Sequence, residues 1–66
     1  MSETGTLKAE IKKLSAKAVQ AKMDLHDLSE ELPVNWQSIL EVAQRTHDVF
    51  ALLEMKRAQL KQCENA

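Results

Sequence analysis

The run LSEELPVNWQSI, residues 28–39, decides how this chain folds. A proline biases the residue before it away from helical dihedrals, so a helix arriving at Leu32 has to stop there. Asn35 follows as a helix N-cap candidate. Val34 stands before it and Ile39 after it, placed to close over the cap as a hydrophobic staple. Pro33 is the one proline in 66 residues. The reading is therefore one stop, a turn over residues 32–35, and one restart.

Working outward from the turn, apolar residues recur with the spacing of a coiled-coil seam. Before Pro33 they are Leu7, Ile11, Leu14, Ala18, Ala21, Leu25, Leu28 and Leu32, alternating steps of four and three. After it they are Trp36, Ile39, Ala43, Thr46, Phe50, Leu53, Arg57 and Leu60, stepping three and four. This is the signature of amphipathic helices that pack along one stripe. Valine and isoleucine never alternate with polar residues, and the chain is rich in helix formers, so strands are not expected. The fold class is all-α: an antiparallel two-helix hairpin with helices over 6–31 and 36–62. Residues 1–5 read as a disordered leader with Thr4 or Thr6 as the first cap, and residues 63–66 as a frayed tail.

A linker this short brings the helices back antiparallel. Folding one seam on the other pairs Leu28 with Ile39, Leu25 with Ala43, Ala21 with Thr46, Ala18 with Phe50 and Leu14 with Leu53. Arg57 is tolerable near the open end, with its stem on apolar surface and its head in water. A lone hairpin leaves part of each stripe wet. Leu40, Val42, Val49 and Leu52 widen the second stripe, and Ala9, Ala16 and Met23 add a thinner one to the first helix. A homo-oligomer, a dimer forming a four-helix bundle or a tetramer, would cover them. Its core would comprise Leu25, Leu28, Trp36, Ile39, Leu40, Phe50 and Leu53.

Charge is segregated along the hairpin. The half nearest the termini holds seven basic residues against four acids, and the turn half holds six acids against Lys22 and Arg45. The formal charges are +3 and −4, summing to the net −1. Such a dipolar rod favours an antiparallel partner copy, with a gain that salt screens.

Several functions are excluded or weakened by composition. Cys63 is the only cysteine, so no intramolecular disulfide exists. It has no histidine near it in sequence to make a catalytic pair. Gly5 is the only glycine, which leaves no phosphate-cradling loop. No secretory leader or transmembrane run is present, so a cytoplasmic protein without membrane contact is expected. An enzyme is not expected.

The chemistry that remains lies in MDLHDLSEELP, residues 23–33. Asp24, His26, Asp27, Glu30 and Glu31 sit off the seam, and acids at a helix C-terminus are unfavourable there. They form a candidate surface for a protein partner. A divalent metal is the one cofactor this composition suggests, with His26 and Asp27 as candidate ligands. A di-iron bundle site is excluded, because Met23 and Gln44, not glutamates, stand three residues before His26 and His47. The competing reading is RNA binding through Lys8, Lys12, Lys13, Lys17 and Lys22. A pI of about 6.1 and the scarcity of arginine and aromatic residues argue against nucleic acid.

Lys17, Ala18, the run Ala21–Leu28, Glu30, Glu31, Leu32, Pro33, Trp36 and Ile39 together resemble a known family. It is the Rop-like family of small NifX-associated proteins encoded in nitrogen-fixation gene clusters. The resemblance implies a helical hairpin that dimerises into a four-helix bundle. It also implies a role in nitrogenase assembly or support, with a nitrogen-fixation protein as partner. The Rop name describes likeness of fold and does not transfer RNA binding.

Overall fold

The computed structural model describes the backbone of residues 3–65 and the side chains of residues 4–64. Helix α1 spans Glu3–Glu31, a single 3-10 turn spans Trp36–Ser38, and helix α2 spans Ile39–Asn65. The two long helices lie antiparallel in a rod of 49 × 14 × 13 Å. The expected all-α hairpin is the observed fold, and no strand occurs among the described residues.

Both helices run past the expected limits at the termini end, while α2 starts at Ile39 rather than 36 because residues 36–38 form a 3-10 turn. Helix α1 is already formed at Glu3, so Thr4, Gly5 and Thr6 lie inside it and neither threonine caps it. Met1 and Ser2, the rest of the expected leader, lie outside the described residues. At the other end α2 continues through Cys63 and Glu64, where fraying was expected. A cross-helix pair ties these two ends, with Lys8 Nζ 3.8 Å from Glu64 Oε2.

The turn corrects a local expectation. Asn35 is not a side-chain cap. It sits in the left-handed region, φ 62° and ψ 27°, and its side chain makes no capping hydrogen bond. Asparagine is among the few non-glycine residues that enter this region at low cost. The turn is instead held by its backbone. Val34 N–H donates to Glu31 O at 3.0 Å, and Ser38 N–H donates to Asn35 O at 2.9 Å. The Leu32–Pro33 peptide is cis.

Register agrees with the fold-back derived from sequence. Thr46 Oγ1 lies 2.8 Å from Val42 O in its own helix and 3.3 Å from Ala21 O across the interface, so one hydroxyl proton serves two carbonyls. The Ala21/Thr46 layer is thus observed directly. On α1 the expected seam is the buried or half-buried stripe from Leu7 to Leu28, and only Leu32 falls outside it.

On α2 the stripe is rotated. Thr46, Leu53 and Leu60 face α1 as expected, but the positions flanking them inward are Val42, Val49 and Lys56. Ile39, Phe50 and Arg57, expected in the same seam, are exposed on the other flank. The physical reason is that α2 carries three adjacent apolar rows where one partner helix can cover only two. Val49 is half-buried and borders a groove with Ala21, whereas the bulkier Phe50 is left exposed. Among the described residues the buried apolar side chains are Leu7, Ala18, Ala21, Leu28 and Leu53.

Trp36 is also outside the seam, 59% exposed. It belongs to the 3-10 turn, whose three-residue period breaks phase with the α-helical heptad that follows.

Candidate functional site

The last two turns of α1 divide the five candidate residues into separate settings. His26, Asp27 and Glu30 point away from α2, on the outer face of the rod. His26 Nε2 lies 2.9 Å from Glu30 Oε1 one turn on, and His26 Nδ1 lies 3.7 Å from Asp27 Oδ1. All three side chains are more than half exposed. The His26 carbonyl accepts the Ser29 hydroxyl at 2.7 Å, which braces the same turn.

Asp24 is differently placed. It accepts from Gln20 Nε2 at 2.9 Å. Its other oxygen is 3.6 Å from Arg45 on α2, and the side chain is only 38% exposed. Asp24 therefore fastens the two helices rather than presenting charge. Glu31 is exposed, and its backbone carbonyl closes the turn. The structure unites His26, Asp27 and Glu30 and separates Asp24 from them.

As a metal site this arrangement is incomplete. Among the described residues, no group of three or more histidine, cysteine, aspartate or glutamate side chains converges as metal ligands would. His26 Nε2 already faces the Glu30 carboxylate at 2.9 Å, so a metal there would have to part that pair. What the group can do is accept cationic and hydrogen-bonding partners on an open face.

His47 lies on α2 and takes no part in this cluster. Its Nδ1 is 3.2 Å from Asp48 Oδ1, and Gln44 Nε2 donates to the same oxygen at 2.8 Å. These hydrogen bonds, that from His47 first, hold the Asp48 carboxyl below the usual aspartate range.

Residues that sequence reasoning passed over are the cross-helix partners: Arg45 for Asp24, and Lys56 for Glu10 at 2.9 Å. Their sequence positions sum to nearly the same value as the paired seam residues, so the fold-back register could have found them. The lysines Lys12, Lys13, Lys17 and Lys22 are exposed but do not form one row. Lys17 turns toward the groove beside Asp24 and Arg45. The concavities found are open grooves along the helices rather than enclosed chambers. Among the described residues, no helix is long and apolar enough to cross a membrane.

The residues expected in an oligomer core are dispersed. Leu28 and Leu53 are buried inside the single hairpin, and Leu25 is half-buried there. Ile39 and Phe50 lie along one flank, and Trp36 and Leu40 stand at the turn end, all exposed.

Comparison with known proteins places this geometry. A family described as Rop-like matches residues 2–65. A UPF0437 protein of Azorhizobium caulinodans is 69% identical over 64 residues, covering 97% of this chain and 93% of its own length. A Frankia alni protein described as a UPF0437 protein in the nifX–nifW intergenic region is 51% identical over 41 residues. That match covers 62% of this chain and 50% of the Frankia protein. A protein solved by NMR in a structural genomics programme superposes with a TM-score of 0.91 at 45% identity, covering 100% of this chain and 94% of that one. The hairpin, its register and these matches lead to one conclusion: the chain belongs to the Rop-like family.

Proposed function

We propose that this protein is a non-enzymatic accessory factor of nitrogen fixation, acting in nitrogenase assembly or support by docking onto a partner protein. The observation carrying the docking reading is the outward cluster of His26, Asp27 and Glu30, whose ion pairs stay within α1 and do not cross to α2. The link to nitrogen fixation rests on the Frankia alni relative, whose gene lies between nifX and nifW. The open grooves offer no sequestered volume in which a reaction would be shielded from water, which suits a binding role.

The same reading includes pairing with a second copy. Surface–mass scaling gives a compact 7.5 kDa monomer about 4,200 Å² of accessible surface. This chain exposes 5310 Å². The excess is of the order that each partner buries in a standard protein interface, about 800 Å². The flank carrying Ala43 and Phe50 is the apolar strip available for it, and an antiparallel seat sets each acidic end beside a basic one.

The test replaces His26, Asp27 and Glu30 together by alanine and leaves Asp24 intact because it ties the helices. Helicity and hydrodynamic mass should be unchanged. A tagged copy expressed in nitrogen-fixing cells should lose the partner that the unaltered protein retains. Retention of that partner by the triple variant would refute the docking surface.

A further inference from the structure

The hairpin tip combines two features that the fold itself does not require. Leu32, Val34, Trp36, Ile39 and Leu40 are all exposed, with Leu40 at 82% and Val34 at 60%. Large apolar side chains left exposed within nine residues of chain, where solvent disfavours them, point to an interaction site. Around it the charge is of one sign. No lysine or arginine occurs between Lys22 and Arg45, while Asp27, Glu30, Glu31 and Glu41 do. Glu30 and Glu31 stand at the end of α1, where unpaired backbone carbonyls already carry partial negative charge and the last turn holds no basic residue; of the two, only Glu30 is faced by His26, one turn earlier.

A surface that leaves large apolar groups in water and crowds like charges beside them is relieved by one kind of partner, apolar and cationic together. Nucleic acid and anionic lipid offer the wrong sign. A second copy also carries cations at its open end, where Lys8 and Lys56 alone are paired, but among the described residues Met55 is the one large apolar side chain exposed near that end to meet the tip. A basic amphipathic helix of another protein fits both features. We propose that the tip docks such a helix, with Val34, Trp36 and Leu40 as the apolar anchors and Glu30, Glu31 and Glu41 as its charge contacts. This rests on the docking reading above and supplies the chemistry of the partner.

Trp36 is the only tryptophan and there is no tyrosine, so its fluorescence reports the tip directly. The intact protein is titrated with two model helical peptides that share one leucine face, one with lysine and one with glutamate on the polar face. The lysine peptide should shift Trp36 emission to the blue, shield it from acrylamide, and bind less tightly as salt rises. Val34→Ser with Leu40→Ser, both at exposed positions, should weaken that binding about tenfold or more. Glu30→Gln, Glu31→Gln and Glu41→Gln together should flatten the salt dependence.

Equal binding of both peptides, or of neither, overturns the proposal. So does a blue shift with anionic vesicles, or one produced by raising protein concentration alone, which would assign the tip to a second copy. A nitrogen-fixation partner still captured while neither peptide moves Trp36 emission overturns the tip assignment and leaves the docking reading standing.

Discussion

At the scale of single residues, burial separates side chains that hold the hairpin from those that only border it. Leu53 is 4% exposed, so Leu53→Ala should cost about 2–5 kcal/mol, read as a lowered denaturation midpoint at unchanged slope. Phe50, at 42% exposed, should cost the isolated hairpin clearly less. Its removal is expected to show in association instead. Asp48 gives a pH-dependent check. Its carboxyl is held below the ordinary range by His47 first and Gln44 second. The attached stability is present above the unfolded value and lost as pH falls through the folded one. In an NMR titration, His47→Ala should return Asp48 toward an ordinary carboxylate more fully than Gln44→Ala. The small size of Ala18 and Ala21 was legible from their seam positions. The fastening of Asp24 by Arg45 was not, because an ion pair on the seam's edge depends on how far each helix is rotated about its axis.

Between residues and the whole rod, the two helices differ in how much their sequences determine. Helix α1 has one dominant apolar stripe, so spacing alone picks its buried face, and Leu7 through Leu28 occupy it. Helix α2 offers three neighbouring rows, containing Phe50, Leu53 and Val49 in turn. Spacing cannot choose which two meet α1, and packing against Ala18 and Ala21 decides. The turn shows a similar limit. Proline announces where α1 must end, yet the left-handed backbone at Asn35 follows from closing the loop over the helix end, not from any pattern in the chain. Asn35→Gly should therefore be neutral or mildly stabilising, since glycine enters that region freely. Asn35→Ile should destabilise the hairpin by about 1–2 kcal/mol. Thermal melts of the two variants, followed by circular dichroism at equal concentration, distinguish this backbone requirement from a side-chain cap. A side-chain cap would penalise both.

For the molecule as a whole, exposed surface exceeds what its mass would suggest, and large apolar side chains on the α2 flank and at the tip are part of that excess. Sedimentation equilibrium should give twice the 7.5 kDa chain mass. Phe50→Asp should return it to the single-chain value with helix content retained, because the side chain is not needed inside the hairpin. Loss of helicity together with mass would instead place Phe50 in the hairpin core. Fold class and register could be read from the chain before its structure, whereas the outward cluster of His26, Asp27 and Glu30 was readable only as five residues of which three share a face. The pairing of Lys8 with Glu64 has a mechanical consequence. Both described ends of the chain leave the rod at the same pole, so tension between them loads the interhelix layers one after another. It meets Leu7 and Leu60 first and the Leu28 layer last. The hairpin should peel open like a zipper at low force, rather than shear along its whole length, and the acidic tip would be the last part to let go.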